Sequence, residues 1–169
     1  MVYCNLDKIP MGSHEIAHEA LIHRYGRNIY ALVLNLIGGD RDKAFELAAV
    51  SLSEAAGAGC SPADADAFVT AAAARAVVKG RAVQAVPVLD DPGLVTRSPE
   101  DKAALRLIKQ ILFSLPFGTR ALLLLRDQMH LPYKNIGTIL GVTETDARMQ
   151  TTQARAEFRK KMKELLEYG

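Results

Sequence analysis

Tryptophan is absent from this chain, and aromatic residues make up only 6% of its 169 residues. Stacking platforms for single-stranded nucleic acid are therefore few. Cysteine occurs twice, at Cys4 and Cys60, which argues against a disulfide framework and suits a reducing compartment. No apolar run approaches the ~20 residues of a membrane span, and the N-terminus lacks the basic-then-apolar order of a signal peptide. The expected location is the cytosol. No alternating run reads as a strand hairpin, and no internal repeat is present. Gly38-Gly39 and Gly57-Ala58-Gly59 lack the spacing and the lysine of a phosphate cradle. No Ser-His-Asp or Cys-His arrangement can be assembled either, so neither an enzyme nor a bound cofactor is expected. The net charge of +2 gives no global attraction to nucleic acid, so the location of the charge matters more than its sum.

What the chain does have is apolar content at 49%, rich in alanine and leucine, which favours helix. Residues 1–12 read as an irregular tail. From Ser13, a candidate N-cap, apolar residues recur at helical spacing through Tyr25, Ile29, Leu32, Val33 and Leu36, until Gly38-Gly39. Asp40 opens a second helix over 41–54, with Ala44, Leu47, Ala48 and Leu52 inward. Ser61-Pro62 starts a third, alanine-rich helix over about 63–83. Residues 86–99, VPVLDDPGLVTRSP, hold three prolines and cannot sustain a helix; they read as an interdomain linker. The expected fold is all-α, with two small helical domains, 13–85 and 100–169, on either side of it.

The most informative stretch is 131–162. Pro132 suits a helix start, and Tyr133, Ile136, Ile139 and Leu140 form one apolar face. Gly141 supplies the left-handed C-cap, and Thr143 caps a second helix beginning near Glu144. A short helix, a glycine turn and a second helix form the helix-turn-helix pattern, whose second helix enters a DNA major groove. That second helix opens with Thr143 and Glu144, and offers Arg148, Gln150, Thr151 and Thr152 to base edges. Arg155, Arg159 and Lys160 are placed to neutralise phosphates. Tyr133 and Lys134, at the start of the first helix, are placed to touch the backbone.

Residues 98–162 also carry Leu115-Pro116 before Arg120, the run 121–125 followed by Arg126, Tyr133 with Ile136, Leu140-Gly141-Val142 and Ala154-Arg155-Ala156. With these landmarks the stretch resembles the promoter-reading domain of bacterial RNA polymerase sigma factors. The class is the small extracytoplasmic-function (ECF) type of the sigma-70 family. The rhythm of 17–48 is similar to the N-terminal sigma domain. The resemblance implies three kinds of partner: RNA polymerase core (its β′ clamp and β flap), promoter DNA and an anti-sigma factor. It implies a clamp contact by Arg41, Asp42, Lys43, Glu46 and Leu47, and promoter melting by Phe68, Arg75, Lys79 and Arg81. The chain departs from the family pattern at several places. Ala49 stands where the family has a glutamine, and Phe68 where it has a tryptophan; Gln150 and Gln153 stand where basic residues are usual. The alternative reading is a sigma-like interaction module that binds an anti-sigma factor without promoter activity. A second motif, His14-Glu15-Ile16-Ala17-His18, matches the H-E-x-x-H zinc pattern. Without strands or a third ligand on another element, these residues read as polar positions on an amphipathic helix, and no metal site is expected.

Overall fold

Side-chain caps fix where the helices begin. The Asp40 carboxylate accepts from the Lys43 amide at 2.9 Å, Asp64 from Ala67 at 2.9 Å, and Ser98 Oγ from Asp101 at 3.1 Å. Each replaces an intrahelical partner that a first turn lacks, contributing about 1 kcal/mol. The structure is a computed structural model describing residues 12–58, 64–83 and 98–168, with side chains for 18–58, 64–83 and 98–167. The tail 1–11 and nearly all of the expected linker lie outside the described residues.

Seven α-helices make up the described chain: α1 (Gly12–Ile37), α2 (Arg41–Gly57), α3 (Ala65–Arg81), α4 (Pro99–Ser114), α5 (Phe117–Leu123), α6 (Tyr133–Leu140) and α7 (Glu144–Tyr168). A π-helical segment, Leu124–Gln128, continues α5. No strand occurs among the described residues. Gly38 and Gly39 both take positive φ, 102° and 94°, and the Gly39 amide donates back to Leu34 O at 2.9 Å, which ends α1.

Helices α1, α2 and α3 pack around Ile29, Leu32, Val33, Leu36, Ala44, Leu52 and Phe68, all buried. The alanines of α3 are structural: Ala72, Ala73 and Ala76 are fully buried and let the backbones approach closely. The second half buries Ile111, Leu112, Leu115, residues 121–125 and Ile136. Arg120 is buried as well. Its guanidinium stacks on Phe113 at 4.6 Å and Phe117 at 5.6 Å, and burial holds its pKa below the ordinary arginine value.

The described parts of the two halves share one apolar cluster. Helix α3 lies against α6, and α1 against α5 and the π segment. Two side-chain bonds cross this junction: Asn135 Nδ2 donates to Thr70 Oγ1 at 2.9 Å, and Asn35 Nδ2 to Gln128 Oε1 at 2.8 Å. Each contributes roughly 1 kcal/mol net.

Candidate nucleic-acid interface

The site is built on α6, the corner after it, and α7. Gly141 ends α6 at φ 71°, and the Val142 amide donates to Gly137 O at 2.9 Å. Thr143 Oγ1 then accepts from the Asp146 amide at 3.1 Å and donates to the Asp146 carboxylate at 2.6 Å. This reciprocal cap fixes the first turn of α7. Asp146 is thereby turned toward its own helix end, where a carboxylate is favoured. Gly137 has a separate reason to be glycine. A Cβ there would lie 2.7 Å from Val142 O, so α6 and the corner meet backbone to backbone.

The rotation of α7 decides what it can offer. Ala147, Thr151 and Ala154 are buried, and Phe158, Met162 and Leu165 are half-buried along the same line. With about 3.6 residues per turn, the opposite face carries Thr145, Met149, Thr152, Ala156, Lys160 and Lys163, all exposed. Arg148, Arg155 and Arg159 run down one flank, and Gln150, Gln153 and Glu157 down the other.

Thr151, expected at base edges, is thus a core residue. It is 0% exposed and its hydroxyl donates to Ala147 O at 2.7 Å. Thr152 is exposed, with its hydroxyl on Arg148 O at 3.0 Å. Gln150 is half-buried and shares a crevice of about 400 Å³ with Gln153, Glu157 and Arg81. Met149, which the sequence reading passed over, is 53% exposed at the centre of the outward face.

Arg148 leans over the Tyr133 ring at 5.2 Å and reaches Glu144 at 3.6 Å. Arg126 stacks on the same ring at 4.5 Å while donating to Leu131 O at 2.8 Å. Tyr133 is therefore a spacer holding α6, α7 and the π segment in register. Arg155 is not a free phosphate ligand, because both its Nε and its Nη2 donate to the Asp127 carboxylate. The hydrogen bond to Asp127 raises the Arg155 pKa above its ordinary value, keeping the cation fixed. The two side chains are 37% and 44% exposed, so solvent limits the pair to about 1 kcal/mol or less.

The other cations are more available. Lys134 and Arg159 are exposed. Lys160 and Lys163 make only loose i,i+4 pairs, with Glu164 at 4.0 Å and Glu167 at 3.6 Å, and are 78% and 75% exposed. Such pairs contribute little and yield readily to a phosphate.

The melting residues expected on α3 are occupied otherwise. Phe68 is 0% exposed, the largest fully buried side chain among the described residues, and is not accessible to an extruded base. Arg75 Nε and Lys79 Nζ both approach Glu54, at 3.7 Å and 2.9 Å, and Arg75 also donates to Ala71 O at 3.0 Å. Arg81 is exposed and lies 5.6 Å from the Phe117 ring. On α2, Arg41, Asp42 and Glu46 are exposed, Lys43 pairs with Glu46 at 2.8 Å, and Leu47 is half-buried. Phe45, between these, is 69% exposed and was not singled out from sequence. The side chains of His14 and Glu15 lie outside the described residues. Among the described ones, no three potential ligands gather to hold a metal. No described helix is long and apolar enough to cross a membrane.

Comparison with family models and with curated proteins gave no match for this chain.

Proposed function

We propose that this chain is a sigma-like transcription initiation protein that holds duplex DNA with the outward face of α7. In this reading, α6 and α7 act as a helix-turn-helix. Thr145, Arg148, Met149 and Thr152 face base edges, while Lys134, Arg159 and Lys160 face phosphates. Arginine pairs bidentately with guanine, and a thioether or threonine methyl suits the thymine methyl group. The observation that supports this best is the combination of a capped, glycine-cornered α7 with an outward face left exposed among the described residues. The main contacts between the described parts of the halves fall on α6, α5 and the π segment, and Thr145, Met149, Thr152 and Lys160 are exposed. The partners in this reading are promoter DNA and RNA polymerase core, the latter met through α2.

A specific observation favours the second reading, a sigma-like module that captures an anti-sigma protein and opens no DNA. Phe68 is in the core, and Arg75 and Lys79 are engaged by Glu54. A helix so occupied has little to offer an extruded base. Run-off transcription with purified core polymerase and DNA selected for binding separates the two. Specific initiation supports the first; DNA-independent capture of a small protein partner with no initiation supports the second.

A further inference from the structure

A trough lies between α4 and α7, built also from the junction of α5 with the π segment and from Asn35 near the end of α1. Its volume is about 620 Å³, within the ~300–1,000 Å³ of small-molecule sites. Leu112, Leu123 and Leu124, all buried, make its floor. Ile108 of α4, 43% exposed, and half-buried Phe158 and Met162 of α7 line it higher up. Phe158 is the only aromatic side chain in the described lining, so the trough suits an aliphatic body better than a stacked ring.

The polar groups decide what completes it. Asp127, the one carboxylate in the described lining, is held by both Nε and Nη2 of Arg155. Asn35 donates to Gln128 at 2.8 Å. Lys109 on α4 and Arg159 on α7 are left over. They stand on facing walls, and neither side chain has an ion pair or hydrogen bond among the described residues. No carboxylate lies three or four positions from either in sequence, where a helical neighbour would pair with it. Lys160 and Lys163, farther round α7, do have such glutamates. The trough therefore combines an apolar floor with two uncompensated cations, and its complement is an apolar chain ending in a negative charge.

We propose that this trough binds a fatty-acid carboxylate, its chain on Leu112, Leu123 and Leu124 and its head between Lys109 and Arg159. Where α7 holds DNA, that head withdraws Arg159 from phosphate; this consequence rests on the DNA reading, whereas the binding itself does not.

Isothermal titration of the full chain with decanoate, without DNA or polymerase, tests the site by itself. The expected result is saturable binding with a Kd of roughly 100 µM, tightening about two- to fourfold for each added methylene. Decylammonium, with the same chain and the opposite charge, binds about tenfold more weakly or worse. Lys109→Gln and Arg159→Gln each weaken decanoate binding about two- to fivefold. Ile108→Glu, a change at an exposed position, abolishes it with unchanged circular dichroism. No saturation at about 1 mM decanoate, decylammonium binding as tightly as decanoate, or a decanoate site indifferent to all three substitutions overturns the proposal.

Discussion

Gly137→Ala isolates the corner on which α7 is mounted. The added Cβ would sit 2.7 Å from Val142 O and 3.3 Å from Thr143 C and O. Carbon and oxygen atoms do not approach so closely without repulsion, so about half an ångström of displacement is required, and the obstructing atoms are backbone rather than a side chain able to rotate away. That backbone is tied down on both sides, by the Val142–Gly137 bond and by the Thr143–Asp146 cap. Overpacking of this kind costs about 1–3 kcal/mol. Alanine's better helix propensity returns about 1 kcal/mol, leaving a net loss of about 0–2 kcal/mol. Gly26→Ala is the control. It sits mid-helix with only Leu52 Cδ1 near, at 3.8 Å, and gains about 0.5–1 kcal/mol. Urea unfolding followed by circular dichroism, with all three proteins at the same low concentration, should place Gly137→Ala below Gly26→Ala by about 0.5–3 kcal/mol. A Gly137→Ala protein as stable as Gly26→Ala refutes the close approach of α6 to the corner.

Other expectations concern single side chains. Phe68→Ala should cost about 3–5 kcal/mol in the same unfolding assay, the usual loss for a fully buried phenylalanine; a loss below 1 kcal/mol would return Phe68 to the surface. Thr151→Val, which keeps the buried shape, should leave DNA affinity unchanged, and a clear loss in a binding titration would mean that the α7 rotation is wrong. Arg148→Ala should weaken binding to selected DNA by about 1–3 kcal/mol and relax its sequence preference; unchanged binding removes Arg148 from the reading face. Because the Arg155 pKa is raised from an already high value, that cation's contribution to stability is fully present below its unfolded pKa and is lost only as pH rises through the folded one. Comparing wild type with Arg155→Met should therefore show a stability difference that does not decline between neutral pH and pH ~10; a difference that vanishes in that interval contradicts the assignment.

The all-helical character and most helix boundaries were legible because they rest on local chemistry. Asp40 and Thr143 cap where a short polar side chain precedes an apolar period, and Gly39 and Gly141 end helices where left-handed φ is needed. The outward face of α7 was only half legible. Its rotation is set by Ala147 and Ala154, small residues that give a weak apolar signal, so Thr151 reads as polar surface although it is core. Arg155 reads as a free cation because its partner, Asp127, lies 28 positions away. The π segment has no signature in a run of four leucines, yet it carries Asp127 and Gln128. Phe68 shows that residue type alone does not separate an aromatic kept for stacking from one kept for packing. Exposed Phe45 went unnoticed because a helical period places it just outside the inward stripe of Ala44, Ala48 and Leu52.

The most direct measurement is transcription by purified core polymerase on DNA selected with the full chain, comparing wild type with a variant whose α7 outward face is neutralised at Arg148, Arg159 and Lys160. Initiation at a defined start that depends on those three residues is the expected outcome. Failure of the wild-type chain to retain any DNA at low salt, where phosphate contacts are strongest, together with no initiation, would contradict it.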